Sequence, residues 1–103
     1  MPKQLTVIAH LRAIDGQIEE TRAFLTGLIP PTREEPGCVE YWLHQDDEDP
    51  AEFTFYENWT TREEWDKHME MPHLQAFAKV KDKVFELQKL RLMTMISDAP
   101  TKR

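Results

Sequence analysis

The residues best suited to chemistry lie together between Phe53 and His73, in the run FTFYENWTTREEWDKHMEMPH. It brings one carboxylate (Glu57), two indoles (Trp59, Trp65) and two imidazoles (His68, His73) into a short span. An imidazole changes charge near neutral pH and can take a proton from a phenol, so His68 is the candidate general base. His73 falls in the first turn of a helix begun by Pro72, where the dipole disfavours imidazolium and keeps the ring neutral. Such a ring can accept a proton or donate to a carbonyl; it can equally hold the Pro72 turn together. Glu57 is the candidate partner that orients or shares charge with one histidine, against the plainer role of bonding nearby backbone. Trp59, Trp65, Phe53, Phe55 and Phe77 could line a slot for a flat aromatic molecule, although several of them will be ordinary core. Tyr41 and His10, on neighbouring strands, point either to the same cavity or to an interface.

Other chemistries find less support. His68 and His73 are five apart with Pro72 between them, so a continuous helix would not present them together as zinc ligands. No metal site is expected. Cys38 stands alone, which leaves no disulfide framework or cysteine zinc motif, and a buried inert thiol is the expectation. The acidic run Asp46–Asp49 lacks the glycine and closing glutamate of a calcium loop and reads as a solvated hairpin. No glycine-rich dinucleotide fingerprint is present, so no cofactor is expected.

Positioning these groups requires a defined set of elements. Leu5–Ala13 alternates as a strand, with Leu5, Val7, Ala9 and Leu11 opposite Thr6, Ile8, His10 and Arg12. After Asp15-Gly16, the spacing of Ile18, Leu25, Leu28 and Ile29 predicts a helix. Pro31 should push Pro30 out of the helical region, giving a kink, a last turn through Thr32 to Glu35, and a stop at Pro36-Gly37. Cys38–His44 alternates as a second strand, with Val39, Tyr41 and Leu43 opposite Cys38, Glu40, Trp42 and His44. Phe53–Trp59 follows across the hairpin as the third. Thr61 and Glu64 form a capping box that starts a short helix, on which Trp65, His68 and Met69 share a face. Leu74, Phe77, Lys81, Val84 and Phe85 predict a further amphipathic helix, and Leu87–Ile96 a fourth strand.

This order is that of a ferredoxin-like α+β sandwich, a four-stranded antiparallel sheet with helices on one face. Ile8, Met93, Met95 and either Trp42 or Tyr41 leave apolar surface on the face without helices. An uncovered apolar face predicts a homodimer packed sheet on sheet. The 103 residues suit one domain, with a core over about 5–96 and a polar tail at 97–103. Hydrophobic content of 40% with 31% charge is that of a soluble protein, and a net charge of −6 argues against nucleic acid. No apolar run is long enough to span a membrane, and the start lacks a signal peptide's pattern, which points to the cytoplasm.

Three phrases, Glu35-Pro36-Gly37-Cys38-Val39-Glu40-Tyr41, Phe53-x-Phe-Tyr-Glu57-Asn-Trp59, and His68-Met-Glu-Met-Pro72-His73 with Phe77, resemble the antibiotic biosynthesis monooxygenase (ABM) domain. The resemblance runs from Leu5 to about Ile96. It implies a dimeric α/β barrel of ferredoxin-like subunits. It also implies one of several activities: cofactor-free oxygenation of quinols or anthrones, haem degradation, or isomerisation of a signalling molecule. The haem-degrading pattern does not fit, because its tryptophan position carries His68, its histidine-ligand position Ala78, and its asparagine position lies near His10 and Leu11. The expected function is a cofactor-independent monooxygenase using dioxygen on a quinol or polyphenol. The alternatives are a small-molecule isomerase and a non-catalytic dimeric module that binds a metabolite.

Overall fold

The computed structural model describes residues 4–97. Eight elements follow one another: β1 (Leu5–Ala13), α1 (Ile18–Gly27), α2 (Ile29–Arg33), β2 (Cys38–Gln45), β3 (Glu52–Trp59), α3 (Arg62–His68), α4 (Pro72–Val80) and β4 (Phe85–Thr94). The strands form one antiparallel sheet in the order β2-β3-β1-β4, the ferredoxin-like arrangement expected from the pattern. Strand alternation decides the two faces. Leu5, Val7, Ala9, Leu11 and Ala13 are buried, as are Phe53, Phe55, Glu57 and Trp59, and they pack with Leu25, Leu28 and Trp65 from the helices. The expected polar tail falls mostly on residues 98–103, outside the described residues.

Four boundaries differ from the sequence reading, each for a local reason. Pro30 is not expelled from helix: α1 ends at Gly27 and Pro30 and Pro31 open α2, where a missing N–H costs no hydrogen bond. On β2 the register slips between Cys38 and Glu40, leaving Val39 as a bulge. Cys38 therefore turns toward the core and Val39 toward solvent, the reverse of strict alternation. The last helix stops at Val80; Lys81 and a left-handed Asp82 (φ 73°) make a turn, and Val84 and Phe85 lead into β4 instead of extending the helix. β4 runs Phe85–Thr94, not Leu87–Ile96, although Met95 N still bonds Gln4 O at 2.9 Å.

The acidic hairpin between β2 and β3 is held by its own chemistry. Asp46 Oδ2 accepts from the backbone of Glu48 and Asp49, and Arg12 Nη1 reaches Asp49 at 2.8 Å and Glu52 at 2.6 Å. These contacts fix the hairpin register that sets Tyr41 beside Glu57 and Leu43 beside Phe55.

Candidate functional site

Sheet register assembles the floor of the site. Tyr41, Glu57 and Val7 form one row across β2, β3 and β1, continued by Leu92 on β4; Leu43, Phe55, Ala9 and Leu90 form the next. The helices form the roof. Thr61 caps α3, its hydroxyl accepting from Glu64 N at 3.2 Å, and the turns that follow aim Trp65 and His68 down at the sheet. On α4, Leu74 and Phe77 close a second side. Between floor and roof lies a cavity of about 50 Å³, lined almost wholly by apolar atoms. Its polar exceptions are Tyr41, Glu57 and His68. Met69 and Leu90, both partly exposed, stand at its rim.

His68 is sealed in the fold, 2% exposed, with its ring 4.5 Å from Trp59 and 5.8 Å from Tyr41. Its Nδ1 lies 2.8 Å from Glu35 Oε2. His73 Nε2 lies 2.8 Å from that same oxygen. Burial pushes the His68 pKa below the ordinary imidazole value, the Glu35 hydrogen bond and charge pull it back up, and the charge of His73 pushes it down again. Glu57 is 5% exposed and takes a hydrogen bond from Trp59 Nε1 at 2.9 Å. Burial raises its pKa to about 7, against the opposing pull of that bond, with Glu35 adding a smaller upward push. The Tyr41 hydroxyl is pushed well above its ordinary value, chiefly by burial. At neutral pH the cavity thus holds a neutral imidazole, a phenol, and a carboxyl group near its midpoint. That set can take up and return a proton in a dry setting.

Glu35 escaped the sequence reading. It sits in the turn after α2, within a Pro-Gly stop that reads only as a helix terminator. Gly37 is what brings α3 against this turn: a Cβ there would collide with the Glu64 side chain, and Thr60 N bonds Gly37 O at 2.9 Å. The signals available were an acid flanking Pro36-Gly37 and its place at the head of the first family-like phrase, with no local period to tie it to a histidine 33 residues away.

The other candidates are sorted by the coordinates. Trp65, Phe55, Phe77 and Tyr41 line the cavity. Trp59 does not; it is fully buried behind Glu57 and His68, and its role is to hold them. Phe53 is core. His10 is a correction: it lies on the opposite sheet face, its Nδ1 3.1 Å from Thr54 Oγ1, beside the polar groove at the hairpin. Glu57 meets Trp59, and the histidines meet Glu35 instead. The argument from helix spacing against a shared histidine site is also corrected. A break at Met69–Met71 redirects the chain, so Glu35, His68 and His73 place one oxygen and two nitrogens within 4.8 Å of one another. Both contacts to Oε2 have hydrogen-bond lengths, and Glu35 and His73 are absent from the cavity wall. Cys38, expected to be buried, is half-buried, and that burial still raises its pKa to about 11, which keeps it a thiol at neutral pH.

Comparison with known proteins agrees with this architecture. The chain is 30% identical to PA3566 of Pseudomonas aeruginosa, whose crystal structure superposes with a TM-score of 0.83 over 96% of this chain and 98% of that one. It is 27% identical to SO0527 of Shewanella oneidensis, with a TM-score of 0.79 over 92% and 91%. Rv0793 of Mycobacterium tuberculosis, a proposed monooxygenase, is 33% identical over 73 residues, covering 71% of each chain. The uncharacterised protein sll1783 of Synechocystis is 29% identical over 75 residues, 73% of this chain but about half (51%) of that longer protein. The sequence profile described as "Antibiotic biosynthesis monooxygenase" matches residues 4–80, which take in all the strands but β4 and every residue of the Glu35, Glu57, His68 and His73 set. The chain belongs to the antibiotic biosynthesis monooxygenase family.

Proposed function

We propose that the protein is a cofactor-independent monooxygenase that oxidises a quinol or related polyphenol with dioxygen. The observation that carries this reading is the setting of His68, which backs onto Glu35 through Nδ1 and faces an apolar cavity that Glu57 and Tyr41 share. His68 takes the phenolic proton, and the resulting phenolate is electron-rich enough to pass one electron to dioxygen. Superoxide and semiquinone then combine at a ring carbon. The O–O bond breaks as protons return from His68 and Glu57, so that quinol and O₂ become a hydroxylated quinone and water. The apolar wall stabilises the radical pair against escape, and burial raises the Glu57 carboxyl to about 7, where it can return a proton. The cavity accepts only part of a ring as it stands, so a ring enters by turning the flexible Met69 and Leu90 side chains at the rim.

Oxygen uptake with a panel of reduced benzo- and naphthoquinones tests the reading. The parent consumes oxygen in step with substrate, and His68→Ala loses about 100-fold or more in kcat. Equal rates in the two proteins remove His68 from the mechanism. Turnover that persists in anaerobic buffer points to proton-shuttling isomerisation on the same residues. The same reading includes a homodimer across the uncovered sheet face, supported by the exposed Trp42 and Tyr56.

A further inference from the structure

We infer that Glu35 holds His68 and His73 in opposite tautomers, fixing His68 Nε2 as the lone-pair nitrogen on the cavity and making Glu35 its positioning residue. The hydrogens on His68 Nδ1 and His73 Nε2 follow from geometry, and on neutral rings they fix the tautomers; their catalytic consequence rests on the function proposed above.

An ionised carboxylate oxygen only accepts hydrogen bonds. Glu35 Oε2 has ring nitrogens at 2.8 Å on two sides, His68 Nδ1 and His73 Nε2. A nitrogen lone pair at that distance from a carboxylate would be repelled, so each nitrogen must bring its hydrogen. A neutral imidazole has one N–H to give. His68 is therefore the Nδ1–H form with a lone pair on Nε2, and His73 is the reverse. Two donors on one oxygen also account for a carboxylate being tolerated inside the fold, since Glu35 is 8% exposed.

The free ends of the rings go to different places. Among the described residues, the sealed side-chain polar atoms without a partner are Gln17 Oε1 and Thr32 Oγ1. His68 Nε2 is not one of them and has no hydrogen-bond partner, so it opens on the cavity that His68 lines. His73 Nδ1 is likewise unsealed, on a ring 14% exposed and off the cavity wall. The groups packed around His68 are Glu35 from the turn after α2, His73 from α4, Tyr41 from β2, and Trp59 and Glu57 from β3. Of these, Glu35 alone is within hydrogen-bond distance of its ring. Without that acceptor the imidazole is free to carry its hydrogen on Nε2, where it faces substrate as a donor and cannot act as a base.

The test is long-range ¹H–¹⁵N correlation of the histidine rings in ¹⁵N-labelled full-length protein at pH 7, with and without a chelator. The expected spectrum has protonated Nδ1 and unprotonated Nε2 for His68, and the opposite for His73, unchanged by chelation. Protonated Nε2 on His68 overturns the inference, as does a metal-bound pattern lost on chelation. Glu35→Leu removes the oxygen that accepts from both rings, so at least one ring should lose its fixed tautomer. With quinol, kcat should then fall about 100-fold at unchanged KM and the acid limb of the pH profile should move. An intact Glu35→Leu protein that keeps both tautomers overturns the role of Glu35. If that variant does not fold, His73→Gln and the parent spectra decide: the amide still donates to Oε2, and His68 should remain Nδ1–H. Correct tautomers with no oxygen uptake sink the monooxygenase reading and leave this one standing; uptake with the wrong tautomers does the opposite.

Discussion

At the scale of the residue, Glu57 carries a cost that pH should reveal. In the fold it keeps its proton up to about pH 7, while a carboxyl exposed on unfolding loses it near 4.5. Between those values the folded state binds more protons than the unfolded one, so this residue's contribution to stability falls as pH rises, then levels above 7. Glu57→Gln retains an oxygen for Trp59 Nε1 and has no charge to bury. It should match the parent in urea unfolding at pH 4.5 and exceed it at pH 8, by about 3 kcal/mol at most. His68 acts in the other direction, gaining stability as pH rises toward 6.5, but both proteins keep it and it cancels. No gain at pH 8 would mean that Glu57 ionises like an exposed acid. Residues of this kind were legible in the sequence because strand alternation and helix spacing decide which way a side chain points. Glu57, Phe55, Trp65, His68 and Phe77 reach the cavity on those grounds; Tyr41 lines it too, but alternation along its strand does not choose between cavity and interface. Glu35 did not follow from them, since its partners lie on other elements far along the chain.

At the scale of the element, the site depends on how closely the turn at Pro36-Gly37 and the start of α3 approach each other. Gly37→Ala puts a methyl group into Glu64, and the neighbour struck is the Cβ and Cγ of a helical side chain with little freedom to move. The variant should lose about 1–3 kcal/mol in urea unfolding. It should also weaken the Glu35–His68 bond, because relief comes by moving α3 away. A stability equal to the parent's would show that the two elements tolerate separation. Element types and their order followed from periodicity, but their ends did not. Val39 reads as an inward strand residue until a bulge rotates it out, and a bulge has no signature in a period-two pattern. Val84 and Phe85 satisfy helical spacing from Leu74, yet Phe85 is needed by the sheet opposite Ala13, and tertiary packing decides.

At the scale of the whole molecule, the proposed homodimer rests on the sheet face away from the helices. Trp42 is 49% exposed and Tyr56 37%; Ile8 and Arg91 continue their row across the sheet, and Met93 lies in the neighbouring row opposite Thr6. Beneath these rings a polar network limits their freedom. Asn58, fully buried on this face, takes a hydrogen bond from Thr6 at 2.6 Å and gives its own to Glu40 and to the Tyr56 hydroxyl, both at 3.0 Å; Glu40 also accepts from Trp42 Nε1. Arg33 stacks over the Trp42 ring at 4.9 Å. Aromatic groups held in one geometry lose little entropy when a partner covers them. Four strands about 4.8 Å apart and some eight residues long give a face of roughly 500 Å², and side-chain relief takes it toward the ~800 Å² per partner of a stable interface. A second copy presenting the same face satisfies it with two-fold symmetry. Sedimentation at micromolar concentration should therefore give twice the 12.2 kDa chain mass. Trp42→Glu should return the monomer, because the contact would then bury a carboxylate in place of an apolar ring. Its circular dichroism should match the parent's, since the side chain is half-exposed in the isolated fold. A parent that sediments as a monomer, or a Trp42→Glu protein that still sediments as a dimer, places the contact elsewhere.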